Sequence, residues 1–125
     1  MQLNIFVQVA PLLKEKKSNI NYISIINFLG KYKHGDLIYP SAIRRSLKLD
    51  TKDIYDVLEL CENSGLVERQ LAIYCPNCQR FSGHFYNSLL DIPPYITCKH
   101  CDDELVTKVE NIIVIYRVIE WNQTR

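Results

Sequence analysis

Two cysteine pairs constrain this chain more than anything else in it. Cys75-Pro76-Asn77-Cys78 and Cys98-Lys99-His100-Cys101 each enclose two residues, and positions 79–97 separate the pairs. This is the spacing of a four-thiolate zinc site. A two-residue insert lets one tight turn aim both sulfurs at one ion, about 2.3 Å from each. Pro76-Asn77 is itself a turn-forming pair. Two such turns brought together supply a tetrahedron. The competing readings are two disulfides or four unrelated thiols. The apolar stretch 3–13 is interrupted by Asn4, Gln8 and Pro11 and lacks a basic start and a small-residue cleavage site, so no secretory signal is expected. That points to a reducing, cytoplasmic setting, where the pattern favours metal.

A closed four-thiolate site leaves no position for water or substrate, so one structural Zn2+ is the expected cofactor. Binding of this kind is worth on the order of 10–16 kcal/mol in apparent terms and is coupled to folding. That exceeds what segment 79–97 can gain from burying its own apolar residues. Without metal, residues 75–103 are expected to be disordered.

At 125 residues the chain fits one domain, or a small domain with a module attached. A net charge of +1 gives no global pull towards nucleic acid or membrane. No apolar run reaches membrane-spanning length. The start is locally basic, with Lys14, Lys16, Lys17, Lys31 and Lys33 against Glu15. Such a segment can touch phosphate or simply be solvated.

Residues 2–17 satisfy both a helical stripe (Leu3, Phe6, Val7, Ala10, Leu13) and strand alternation, and we read a helix. An apolar arm like this packs on its own core or on a second copy, giving a homodimer. Ser18 or Asn19 is placed to cap a helix reaching Tyr32, with Tyr22, Ile25, Ile26 and Leu29 on one face, Ile23 and Phe28 widening it, and Gly35 ending the segment. Residues 36–40 are extended, since a residue before proline avoids helix. Ser41 then caps a short helix with Ile43 and Leu47 inward. Asp50 caps a third helix over 51–64, with Asp53 completing an approximate capping box. Its buried stripe is Ile54, Val57, Leu58 and Cys61, and Gly65 is its left-handed stop. Residues 66–74 read as a strand running into Cys75. Residues 112–119 are rich in Ile, Val and Tyr, as a buried strand is. Trp121 is the expected lid of the core.

Helix, short strand, helix, helix, strand, long insert, strand: this order resembles a winged helix-turn-helix domain. Ile43, Leu47, Ile54, Leu58, Gly65 and Leu66-Val67 carry the resemblance, over about residues 18–74 and 104–119. Joined to a zinc ribbon, it is similar to the archaeal transcription factor E family and its eukaryotic alpha subunit. There a winged helix precedes a four-cysteine ribbon, and the pair binds RNA polymerase near promoter DNA. Cys75, Cys78, Cys98 and Cys101 match the ribbon ligands. Here no linker separates the parts, so the ribbon is inserted in or directly follows the wing. The resulting expectation is an α+β fold in three parts: an arm over 1–17, a winged-helix domain over 18–74 and 104–125, and a zinc ribbon over 75–103.

In winged helices that bind DNA, the third helix enters the major groove. Here its exposed side offers Lys52, Tyr55, Asp56, Glu59, Glu62 and Asn63, with Asp53 nearby; four acids against one lysine leave three net negative charges. Each close charge pair is worth about 1 kcal/mol in water and more where the contact is dry. Several acids together oppose groove insertion. Tyr55, Asp56, Glu59 and Glu62, with Leu60 and the apolar arm, suit a protein partner better, so an adaptor in a nucleic-acid-handling or regulatory assembly is the leading expectation. The alternative is a DNA-binding regulator using Arg44, Arg45 and Lys48 on the second helix with Arg69 and Arg80 on the wing and ribbon. The ribbon segment 80–86 mixes basic and aromatic groups as single-strand binders do. Phe81 and Phe85 more often cover the zinc knuckles, and scattered cations are ordinary surface, so that reading is preferred. An enzyme is not expected: there is no phosphate loop or nucleophile motif, and His34, His84 and His100 have no carboxylate at a telling spacing. His84 is an alternative metal ligand, and Cys61 is a small apolar core group.

Overall fold

The computed structural model describes residues 4–16 and 21–120. The chain divides into two compact units. One takes the chain up to Glu68 and again from Tyr116; the other is Arg69–Ile115. Ser18, Asn19 and Trp121, expected as caps and lid, lie outside the described residues. No described helix is long and apolar enough to cross a membrane.

The first unit is helical. A 3-10 segment, Ile5–Val9, runs into α1, Ala10–Lys16. Phe6, Val9 and Leu13 are fully buried within the chain itself. Asn4 fastens this arm: its Oδ1 accepts from the Phe6 amide at 3.0 Å, and its Nδ2 donates to Ile26 O at 3.0 Å. The second helix, α2, is Tyr22–Leu29, capped by Asn21, whose Oδ1 accepts from the Ser24 amide. It is shorter than expected, because Gly30 closes it and Gly35 lies in the following turn. Ile25, Ile26 and Leu29 are buried, but Ile23 is 59% exposed and widens nothing. Phe28 tilts against Tyr32 with ring centroids 5.8 Å apart.

Strand β1, Leu37–Ile38, precedes α3, Pro40–Leu47. Tyr39, not Ser41, is the N-cap; Pro40 starts the helix because its missing N–H would be unsatisfied there anyway. Lys48 takes a left-handed conformation at φ 53 and turns the chain towards α4, Thr51–Asn63. Asp50 occupies the cap position of α4 but makes no side-chain cap bond. The stripe of α4 is as read from the sequence: Ile54, Val57, Leu58 and Cys61 are buried. Gly65, at φ 78, ends the helix, and the Leu66 amide reaches back to Cys61 O at 3.0 Å.

Strands β2 (Val67–Cys75) and β6 (Ile112–Val118) carry the chain out of this unit and back into it. With β1 and β3 (Arg80–Tyr86) they form an antiparallel sheet of order β1-β6-β2-β3. Leu37 pairs with Arg117 and Ile38 with Tyr116. A second, two-stranded sheet joins β4 (Tyr95–Thr97) to β5 (Glu104–Val106). The fold is thus mixed α+β, with four α-helices among the described residues.

Candidate metal centre

Each cysteine pair sits at the tip of a β-hairpin in the second unit. The first hairpin joins β2 to β3 and closes with Cys75 opposite Arg80. The second joins β4 to β5; beyond the Thr97–Glu104 rung, the Cys98 amide donates to Asp103 O at 2.9 Å. Both loops are then built alike. The Gln79 amide donates to Cys75 O at 2.8 Å, and the Asp102 amide to Cys98 O at 3.0 Å. The residue after the second cysteine is left-handed in each, Gln79 at φ 59 and Asp102 at φ 61. That single residue swings the strand back while leaving both sulfurs on the inner side. Neither position stands out in the sequence, although both follow the second cysteine directly.

The four sulfurs all lie within 4.8 Å of one another. Across the hairpins, Cys75 Sγ is 3.7 Å from Cys101 Sγ, and Cys78 Sγ is 3.7 Å from Cys98 Sγ. A disulfide requires about 2.05 Å, and all these thiols are free. A tetrahedron with sulfurs about 2.3 Å from its centre has edges of about 3.8 Å. The donor set therefore fits one metal ion, in the arrangement of a zinc ribbon.

Electrostatics lead to the same place. The amides of Cys101 and His100 hold the Cys98 thiol down at about 7; the His100 N lies 3.4 Å from its sulfur. The Asp103 amide also lowers Cys101, but burial and the contacts with Cys98, Cys75 and Cys78 push it up to about 12. Cys78 is raised by burial and by its hydrogen bonds with Cys75 and Cys98. Thiolates this close oppose one another's ionisation, and a divalent cation removes that conflict.

Packing holds the two tips together. Cys75 and Cys98 are buried with Ile73, Ile96 and Leu105, and Tyr86, Ile92 and Ile112 pack against them. Strand β3 supports the second loop: the Lys99 amide donates to Ser82 O at 2.9 Å. Asn77 Nδ2 donates to Asp103 Oδ2 at 3.3 Å, linking loop to loop. His84 Nε2 lies 2.7 Å from Thr97 O, so it carries the proton and bonds a carbonyl. Phe81 and Phe85 stack on each other, centroids 5.8 Å apart.

The remaining candidate residues are dispersed. Tyr55 and Glu59 are exposed on α4, whereas Asp56 and Glu62 are half-buried. Asp56, Glu59, Leu60 and Asn63 line a recess of about 210 Å³ with Lys16. Arg44, Arg45 and Lys48 are exposed in the first unit. Arg69 and Arg80 are exposed in the second, at opposite ends of the β2–β3 hairpin. Comparisons with protein-family models, curated proteins and solved structures found no match to this chain.

Proposed function

We propose that this chain is a non-enzymatic, zinc-binding winged-helix adaptor that docks on a protein partner in a nucleic-acid-handling or regulatory complex. The reading is supported by the make-up of α4, where Asp53, Asp56, Glu59 and Glu62 stand against Lys52 and a groove-reading helix needs positive charge; of these acids Glu59 is the exposed one, beside the exposed Tyr55. The winged-helix part is supported by the order α2, β1, α3, α4, β2, β6 and by β1 lying beside β6 and β6 beside β2. The hairpins that present the cysteines occupy the chain between β2 and β6, at the place of a wing tip. The same combination underlies the likeness to the transcription factor E alpha architecture.

Zinc suits four thiolates better than magnesium or calcium, which take oxygen ligands. With all four ligands supplied by protein, the ion holds the two hairpins and leaves no site for substrate. DNA binding through the ribbon is the weaker reading on charge. Arg69–Ile115 holds Arg69, Arg80, Lys99 and Lys108 against Asp91, Asp102, Asp103, Glu104 and Glu110. Four thiolates around a divalent ion add a formal charge of about −2 to that unit.

The test is capture of the tagged, metal-loaded full-length protein from its native cells, before and after nuclease treatment. A protein partner that survives nuclease, and is lost on Tyr55→Ala with Glu59→Lys, is the expected result. Sub-micromolar binding of duplex DNA in physiological salt by a monomer with no such partner would sink the reading.

A further inference from the structure

Each hairpin tip carries one buried sulfur and one that solvent reaches. Cys75 and Cys98 are 0% exposed, whereas Cys78 and Cys101 are half-buried. The contacts between the tips pair one of each kind. Cys78 Sγ meets Cys98 Sγ, and Cys101 Sγ meets Cys75 Sγ, both at 3.7 Å. A reachable sulfur poised beside a second thiol is the arrangement of an oxidation-sensitive site, because the first sulfur reacts and the second resolves it. Thiols that are all buried are inert by comparison.

Distance alone does not select the pairing, since the edges of a sulfur tetrahedron are alike. The backbone selects it. Within a hairpin the two cysteines are fixed on one turn, closed by the bond from Gln79 N to Cys75 O or from Asp102 N to Cys98 O and followed by a left-handed residue. A disulfide inside either turn has to distort it. The tips themselves belong to separate hairpins, tied loop to loop by Asn77 and Asp103. Sulfurs 3.7 Å apart reach the disulfide length of about 2.05 Å by closing about 1.6 Å, and two loops supply that by moving together. A link of this kind constrains the unfolded chain and encloses segment 79–97.

We propose that the cysteine cluster is an oxidative modification site, which peroxide converts to two cross-hairpin disulfides, Cys78–Cys98 and Cys75–Cys101, that hold the tips in the ion's place. The inference rests on the metal-binding part of the proposed function and is independent of the docking part. In the first pair, Cys78 Sγ attacks peroxide, the O–O bond breaks, hydroxide leaves and Cys78 becomes a sulfenic acid. Cys98 Sγ then attacks that sulfur. The S–S bond forms, the S–O bond breaks, and the hydroxyl leaves as water with the Cys98 proton. Two thiols lose two electrons, and one peroxide becomes two waters. Cys101 and Cys75 repeat the sequence with a second peroxide.

The test treats metal-loaded full-length protein with a small excess of hydrogen peroxide. Zinc release is followed with a chromogenic chelator, and disulfides are mapped by mass spectrometry without reduction. Trypsin cuts after Arg80 and Lys99, so it separates Cys98 from Cys101 and keeps Cys75 with Cys78. The expected result is release of the ion together with links from the Cys75–Cys78 peptide to both others. Fragmentation between Pro76 and Asn77 should place Cys101 on Cys75 and Cys98 on Cys78. In hydrogen exchange the oxidised, metal-free protein should keep protection at Ile96, Lys99 and Leu105. Dithiothreitol with a chelator should abolish that protection, and dithiothreitol with zinc should restore it. A link from Cys98 to Cys101, links between chains, sulfinic acids in place of links, or an ion retained with intact thiols overturns the inference. Protection lost despite both links overturns the substitution for the ion. If the reduced protein takes up no zinc at the outset, the metal-binding reading falls, and the same disulfide map on the reduced chain decides the pairing.

Discussion

Removing the metal should melt one unit and spare the other. In Arg69–Ile115 the aliphatic residues buried with the cysteines are Ile73, Ile96 and Leu105, at 1%, 6% and 5% exposure. Fully buried side chains of this kind contribute about 1.5–3 kcal/mol each, so about 5–9 kcal/mol together. A structural thiolate-bound zinc is worth on the order of 10–16 kcal/mol. The ion contributes more than these three aliphatic side chains do, and the cluster around the cysteines does not hold without it. The four described α-helices all precede Glu68 and belong to the other unit, where Phe6, Leu13, Ile25, Leu29, Ile43, Ile54 and Leu58 are buried. Treatment with a strong chelator should therefore leave the helical circular-dichroism signal in place. Hydrogen exchange should in the same sample lose protection at the amides of Ile96, Lys99 and Leu105. Amides that stay protected in metal-free protein, or helices that melt with them, would refute this division of labour.

Other outcomes follow from single positions. Burial raises the Cys61 thiol to about 12, so Cys61 favours the folded state fully below its ordinary value of 9.0 and progressively less as pH rises towards 12. At about 1.4 kcal/mol per pH unit this amounts to about 4 kcal/mol; Cys61→Ala should remove that alkaline loss in denaturant titrations and keep one metal per chain. A Cβ on Gly30 would collide with Asn4 Nδ2 and come within 2.8 Å of Asn4 Cγ. Gly30→Ala should therefore break the Asn4 clasp and lower the denaturation midpoint by the equivalent of about 1–3 kcal/mol. Gln79→Val puts a β-branched residue at a left-handed position and should weaken metal retention against a competing chelator, costing about 1–2 kcal/mol, while Gln79→Gly should not.

Local chemistry was legible in the residues themselves. The two-residue spacing of each cysteine pair sets both sulfurs on one turn whatever surrounds it. The stripe of α4 and its stop at Gly65 follow from helical periodicity and from the conformational freedom of a residue without a Cβ. Tertiary contacts decided the rest. Periodicity puts Ile25 on the covered stripe of α2, but how wide that covered face is, and hence that Ile23 is left in solvent, is set only by the neighbouring elements. The hydrogen bond from Lys99 to Ser82 joins residues far apart in sequence, as does that from His84 to Thr97. Leu71, Ile112 and Val114 likewise share one concavity only because β2 and β6, separated by the whole metal-binding insert, lie side by side. Spacing and periodicity are properties of neighbours along the chain; exposure and concavity depend on distant segments that happen to be folded against them.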